Sequence, residues 1–241
     1  MKWKQIGHVV VINEDLDDVS NFLKIPGVNT VVKVGNINGK TRKPDVKLLY
    51  GNQTETIHKE NNCLFKLDVS RVMWSKGNTA ERIRIARLVE EGEIVVDMFA
   101  GIGYFSVPLA VHSKLKKMYS IEINPEAFHY LNENIILNKI QAKVKTFLGD
   151  SMEIAPNLSA DRVLMGYIGN TQDYLQSAMD CVNEGGVIHY HETVPEKIMS
   201  KRPIERIKKA AGERNVNITK QRIIKKYSPG VVHVVVDAKI D

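Results

Sequence analysis

The stretch Val95-Val96-Asp97-Met98-Phe99-Ala100-Gly101-Ile102-Gly103-Tyr104-Phe105-Ser106 reads as a β-strand that breaks at a glycine turn and opens a helix. β-Branched residues carry the strand, and the glycines let the chain turn sharply. They also let a ligand approach the backbone without meeting a Cβ, which puts a binding site at the carboxyl end of this strand. A lone Gly-x-Gly is weak, since a turn used only for packing looks the same. The rest of the chain has to supply the context.

From Glu93 onward short apolar runs alternate with stretches of helical spacing, the signature of βαβ units. The pattern predicts strands over Ile94–Phe99, Lys117–Ile123, Lys143–Leu148, Arg162–Ile168 and Gly186–His191. Helices are predicted over Pro125–Asn138, with Pro125 in its first turn, and over Thr171–Val182. Strands separated by helices imply a mostly parallel sheet covered on both faces. A basic helix from about Pro195 to Asn215 follows. Two strands, Asn217–Lys225 and Val231–Val236, then flank Ser228-Pro229-Gly230 as a hairpin. An α/β Rossmann-like sheet ending in an antiparallel hairpin is the class I methyltransferase variant of the doubly wound fold rather than the dehydrogenase variant.

Residues 1 to 75 follow another pattern. Short strands are expected at His8–Ile12, Thr30–Val34, Lys47–Tyr50 and Cys63–Leu67, with a helix around Asp15–Lys24 and turns at Ile37-Asn38-Gly39 and Tyr50-Gly51-Asn52. This reads as a small N-terminal α+β domain over 1–75 before a catalytic domain over 76–241. The boundary near Val72–Asn78 rests on the change of pattern alone.

The residues around the glycine turn choose between cofactors. A dinucleotide fingerprint wants a third glycine and no carboxylate near the pyrophosphate, but Ser106 stands at that third position and Asp97 precedes Gly101 by four residues. S-adenosylmethionine carries a sulfonium and an ammonium and no phosphate, so a carboxylate nearby is tolerated. Asp97, Phe99, Gly101 and Gly103 are therefore assigned to that cofactor. Glu122 ends the second strand, where a carboxylate accepts from both ribose hydroxyls. Asp150 ends the third, placed to accept from the adenine amino group, with the Ser151 N–H near the ring. Either acid alone reads equally well as a helix cap; two at successive strand ends favour a ligand.

Of the 241 residues 43% are hydrophobic and 26% charged, an ordinary globular balance. The N-terminal apolar run meets acidic residues without a cleavage site, and no apolar stretch is long enough to span a bilayer. Two cysteines, Cys63 and Cys181, exclude a disulfide scaffold and point to a reducing cytoplasm. No metal-ligand spacing is visible, and no protein partner is implied. The net charge of +6 is concentrated: Lys197–Lys226 holds eleven Lys and Arg against Glu205 and Glu213, leaving the rest of the chain at about −3. Such a run is either a solvated face or a phosphate-binding one.

VVDMFAGIGYFS, the preceding LFKLDVSRVMWSKGNTAERIRIA and the later GGVIHYHE together resemble the tRNA guanine-N1 methyltransferase and wybutosine-synthesising superfamily, over about residues 55–240. The methyltransferases of that superfamily carry an Asn-Pro-Arg type segment before the cofactor domain, where this chain reads Trp74-Ser75-Lys76-Gly77-Asn78. After the fourth strand they carry Asn-Leu-Pro, where this chain reads Gly166-Tyr167-Ile168. Both departures resemble the tRNA wybutosine-synthesizing protein 2 subfamily. The resemblance implies transfer of the 3-amino-3-carboxypropyl group of S-adenosylmethionine to 4-demethylwyosine in phenylalanine tRNA, releasing methylthioadenosine. It also implies that Ser75 and Arg82 reach over the cofactor, although Arg82 alone would read as an i,i+4 surface partner on its helix.

The rival within the class is guanine-N1 methylation at the same tRNA position. Outside it stand a cofactor-binding module without turnover and a small-molecule transferase. A base must take the proton from the attacked ring carbon, and the sequence does not name it. His189, His191 and Glu192 at the end of the fifth strand are the candidates, although histidines there are more often structural. RNA contacts are expected from Lys197–Lys226 and from Lys40, Arg42, Lys43 and Lys47, with Trp74, Tyr104 and Tyr167 as stacking candidates.

Overall fold

The structure, a computed structural model, describes residues 3–39, 43–74 and 78–241. Strands β1 (Trp3–Ile6), β2 (Val9–Ile12), β3 (Thr30–Asn38) and β4 (Lys43–Tyr50) form a four-stranded sheet in that order. Helix α1 spans only Ser20–Leu23, shorter than the helix expected over Asp15–Lys24. Asp18 explains the difference: its carboxylate accepts from the Ser20 N–H at 2.8 Å and so holds the preceding chain out of the helix.

Strands β5 (Glu55–Glu60) and β6 (Cys63–Asp68) make a separate two-stranded sheet. Their turn puts Asn61 and Asn62 at φ 50° and 59°, the left-handed conformation that a two-residue hairpin demands and Asn tolerates. The polar run of β5 carries no strand signal of its own. Helix α2 (Thr79–Leu88) follows.

The large sheet contains β7 (Ile94–Asp97), β8 (Lys117–Glu122), β9 (Val144–Leu148), β10 (Ala160–Met165), β11 (Val182–Pro195), β12 (Val216–Ser228) and β13 (Val231–Ile240). Its strand order is β12-β13-β11-β10-β7-β8-β9. The strands from β7 to β11 pair in parallel, while β13 inserts antiparallel between β11 and β12. This is the Rossmann-like methyltransferase topology expected from the alternation and the final hairpin. Its crossover helices are α3 (Ser106–His112), α4 (Pro125–Leu137), α5 (Ser151–Ile154), α6 (Leu175–Cys181) and α7 (Arg202–Ala211).

Successive strand residues point to opposite faces, so Val95 joins Leu109, Met118 and Leu131 on one side while Val96 joins Ile121, Met165 and Ile207 on the other. Each such side chain, fully removed from water, contributes about 1.5–3 kcal/mol. Helix α4 also anchors the β5–β6 hairpin. The Asn134 amide accepts from the Lys66 N–H at 2.6 Å and donates to the Lys66 carbonyl at 3.1 Å, satisfying an edge that the small sheet leaves open.

The C-terminal half departs from expectation at its boundaries. β11 runs on past His191 through Glu192-Thr193-Val194 to Pro195, where the basic helix was expected to begin, because β13 pairs with it as far as Pro195↔Val231. The basic helix is correspondingly shorter, ten residues from Arg202 to Ala211. Among the described residues no helix is long and apolar enough to cross a membrane.

Candidate cofactor and substrate site

An open cavity of about 330 Å³ lies at the carboxyl ends of β7, β8, β9 and β10, where the strand order reverses direction. Gly101, at φ +58°, forms its floor. A Cβ there would come within 2.7 Å of the Tyr104 ring, so only glycine keeps this floor open. Beneath the turn Asp97 is fully buried. Its carboxylate accepts from the Ser106 hydroxyl at 2.8 Å and the Phe99 N–H at 3.2 Å. Burial pushes its pKa up to about 6 despite those two donors. Asp97 and Gly103 thus shape the turn without lining the cavity, whereas Phe99 and Gly101 line it.

Glu122 lines the cavity at the end of β8. Its Oε2 accepts from the Gly101 N–H at 2.7 Å and its Oε1 from the Asn124 N–H at 2.8 Å. Burial raises its pKa, and these two N–H groups oppose the rise. A carboxylate oxygen takes two donors, so both oxygens retain capacity for a pair of ribose hydroxyls. Asp150 caps α5 by accepting from the Met152 N–H at 2.9 Å through Oδ1, and it lines the cavity beside Ser151. Cap and ligand are compatible roles here, because the cap engages one oxygen.

Arg82 also reaches the cavity, and it is no surface residue. Its side chain is 1% exposed, its Nη1 donates to Glu60 Oε1 at 2.6 Å, and its guanidinium lies 4.9 Å from the Tyr104 ring and 5.2 Å from that of Trp74. Glu60 comes from β5, remote in sequence, and no local pattern announces it. Ser75 lies outside the described residues. Tyr104 and Tyr167 line the cavity as expected for its rim, but Trp74 is buried against His58 and Phe65.

The candidate bases stand elsewhere. His189, His191 and Glu192 are buried in the sheet, and none lines the cavity. His189 Nε2 faces Arg162 Nη1 at 2.7 Å; a guanidinium only donates, so Nε2 accepts and Nδ1–H donates to Asp237 Oδ1 at 2.6 Å. Neither nitrogen is left for a proton from a bound base. His191 Nδ1 bonds His233 Nε2 at 3.0 Å, and burial lowers the pKa of both rings. Glu192 accepts from Arg202 at 2.7 Å and Arg206 at 2.6 Å, which holds α7 to β11. The histidine-rich end of the fifth strand is therefore structural.

The basic run divides in the same way. Arg202 and Arg206 serve Glu192, and Arg214 donates to the carbonyls of Met179, Val182 and Asn183. Lys208, Lys209, Lys220, Arg222 and Lys226 are exposed, and Lys225 lines the cavity. In the N-terminal sheet Lys47 is 3.8 Å from Asp15, while Lys40 and Arg42 lie outside the described residues. Among the described residues no cluster of three or more His, Cys, Asp or Glu could hold a metal ion.

Gly166, directly after β10, lines the cavity. A Cβ on it would stand 2.7 Å from the Phe105 ring, so any side chain there requires Phe105 to move. Glycine floor, strand-end carboxylates and sheet order together define a Rossmann-like transferase of the class I methyltransferase type.

Residues 56–219 match the family described as TRM5/TYW2 methyltransferase domain, and residues 1–54 match the TYW2 N-terminal domain. The chain belongs to the TRM5/TYW2 family. It is 49% identical to the tRNA(Phe) (4-demethylwyosine(37)-C(7)) aminocarboxypropyltransferase of Methanocaldococcus jannaschii, covering 100% of this chain and 98% of that protein. It is 39% identical to the tRNA (guanine(37)-N(1))-methyltransferase Trm5b of Pyrococcus abyssi, over 87% of this chain but only 63% of that protein. The crystal structure of M. jannaschii TYW2 in complex with AdoMet superposes with a TM-score of 0.84 at 48% identity, covering 100% and 99% of the two chains.

Proposed function

We propose that the chain transfers the 3-amino-3-carboxypropyl group of S-adenosylmethionine to C7 of 4-demethylwyosine in phenylalanine tRNA. The observation that carries this reading is the end-to-end match to an aminocarboxypropyltransferase, with the TYW2 N-terminal domain included. The match to the methyltransferase relative covers 87% of this chain and 63% of that protein.

S-adenosylmethionine, when bound, supplies an electrophilic carbon on a sulfonium. It would give its γ-carbon to the ring carbon, with the γ-carbon–sulfur bond breaking to release methylthioadenosine and the ring carbon's proton passing to solvent. Each of three carbons on that sulfur is open to the same attack, so the protein selects the product by orientation. In this reading Glu122 accepts from the ribose hydroxyls, Asp150 and Ser151 hold the adenine, and the Gly101 floor lets the cofactor approach the backbone. Arg82, held by Glu60, offers a cation to the carboxylate of the amino-acid arm. Ser75, Asp97, Phe99 and Gly103 complete the proposed cofactor set, Asp97 and Gly103 through the turn they build. Tyr167 at the rim is suited to stack on the target base.

Residues 1–75 form the proposed RNA-side domain and 76–241 the catalytic one, with the exposed lysines of α7 and β12 contacting phosphates. A cytoplasmic location suits a tRNA-modifying enzyme whose cysteines are both free. Mass spectrometry of tRNA containing 4-demethylwyosine, after incubation with the protein and S-adenosylmethionine, tests the reading. Gain of an aminocarboxypropyl group is expected; gain of a methyl group, with S-adenosylhomocysteine released, would contradict it.

A further inference from the structure

Helix α2 forms part of the cavity wall, yet little apolar packing holds it. Its buried residues are Glu81, Arg82, Ile85 and Ala86, so half of what it buries is charged. Ion pairs on two flanks set its position instead. On one flank Arg82 Nη1 and Thr79 Oγ1 donate to the two oxygens of Glu60, at 2.6 and 2.8 Å. Two residues further is about 200° around a helix, and there Arg84 grips the sheet. Its Nη1 and Nη2 donate to Asp237 Oδ2 and Oδ1 at 2.6 and 3.0 Å, while its Nε donates to Glu81 at 2.8 Å.

Asp237 is itself fixed from the opposite side. It faces His189 across the β11–β13 register and accepts from that ring's Nδ1–H at 2.6 Å. Burial alone would raise its pKa, but the donors His189 and Arg84 outweigh burial and hold the carboxyl well below the usual carboxylate range. His189 is held in turn by Arg162, whose Nε donates to Glu93 at 2.7 Å. A continuous chain of directed bonds thus runs from the middle of the sheet to the helix.

Apolar burial would hold α2 against the sheet without fixing its rotation, because the hydrophobic effect is non-directional. A guanidinium fork on a carboxylate fixes both. Rotation of α2 decides whether Arg82 and Asn78 meet the cavity, and both line it. Asn78 is 9% exposed, and its Oδ1 has no hydrogen-bond partner among the described residues, so it can accept from a bound molecule.

We propose that Asp237 and Arg84 are positioning residues for the transfer: acting through α2, they hold Arg82 and Asn78 in the orientation that binds the donor. The proposal rests on the reading that this cavity takes S-adenosylmethionine. The full-length chain is compared with Asp237→Asn, Arg84→Lys and, as a control on the cavity itself, Arg82→Ala. Asp237→Asn leaves Arg84 balanced by Glu81, and Arg84→Lys keeps the charge while losing the fork, so neither strands a buried charge. S-adenosylmethionine affinity by calorimetry, kcat and KM are measured at a temperature where circular dichroism shows each variant folded.

Asp237→Asn and Arg84→Lys are each expected to weaken donor affinity and kcat/KM by about tenfold to a hundredfold, the cost of a small misplacement. A purely structural role would lower Tm yet leave affinity and kcat/KM of the folded protein within about twofold of the parent, and that result overturns the proposal. Should one variant fail to fold, the other decides. If Arg82→Ala weakens donor binding while the two clamp variants do not, the clamp fails and the cavity reading stands. If Arg82→Ala leaves donor binding unchanged, both fall.

Discussion

The two sides of the cavity are built on different principles. Its floor and far wall, from Gly101 through Glu122 to Asp150, come from strand ends and the turns directly after them, and both carboxylates are positioned by backbone N–H groups of those same turns. Its near wall, α2, is positioned by side-chain partners on other elements: Glu60 of β5 holds Arg82, and Asp237 of β13, 153 residues away, holds Arg84. The floor depends on local geometry that many sequences of this fold can reproduce. The near wall depends on a few charged pairs, and any one of them can be lost to a single substitution.

The largest difference between the two sides is expected at Glu122. Glu122→Ala removes an acceptor that organises two backbone N–H groups and leaves them unpaired at the donor site, so S-adenosylmethionine affinity should fall about a hundredfold or more by calorimetry. An effect smaller than that of Asp237→Asn would show that the near wall dominates binding.

Gly166 offers a second way to separate the walls. Gly166→Ala puts a Cβ against the Phe105 ring, and kcat/KM should drop about tenfold while the fold persists. Steady-state kinetics with the tRNA substrate checks this; unchanged kinetics would mean that Phe105 yields freely and that this glycine is not needed for the cavity's shape.

The floor was legible from sequence because its information is short-ranged. A strand, a Gly-x-Gly turn, and acids at successive strand ends all sit within single motifs, and Glu122 and Asp150 line the cavity where the spacing put them. The mostly parallel sheet followed from alternation, and its antiparallel end from the hairpin around Ser228-Pro229-Gly230. Glu60 was not legible, because β5 is a strand only through its pairing with β6 and its polar alternation carries no apolar face. Arg84 and Asp237 were equally silent, since no local rule links a helix to the last strand of the sheet. His189 misled in the opposite direction: a histidine at a strand end suggests chemistry, but Arg162 and Asp237 occupy both of its nitrogens.

The histidines that proved structural give the sheet behind the near wall a pH dependence opposite in sign to that of Asp97 beneath the floor, whose pKa is raised to about 6. Burial lowers the pKa of His189 and His191, and burial together with the Lys225 charge pushes His233 down to about 4. The unfolded chain therefore takes up protons first, near the ordinary value of about 6.5. The stability these rings contribute is fully present above that pH and is lost as the pH falls toward about 4, with His233 alone accounting for about 3 kcal/mol. Urea unfolding at a series of pH values should show the midpoint falling across this window. A midpoint that falls no more in the parent than in His233→Asn would mean that His233 is not buried neutral.

The smallest effects belong to the exposed cations. Lys220→Ala with Lys226→Ala should weaken tRNA binding a few-fold and lower the slope of log affinity against log salt by about 1.5–2, without touching donor affinity. An unchanged slope would remove β12 from the RNA interface.

Which carbon of the donor this cavity presents decides the product, and a doubly labelled donor asks that directly. S-adenosylmethionine carrying one isotope in its methyl group and another in its carboxyl group is incubated with the protein and tRNA containing 4-demethylwyosine. The carboxyl label is expected in the tRNA and the methyl label in released methylthioadenosine. Methyl label in the tRNA, with the carboxyl label left in S-adenosylhomocysteine, would contradict it.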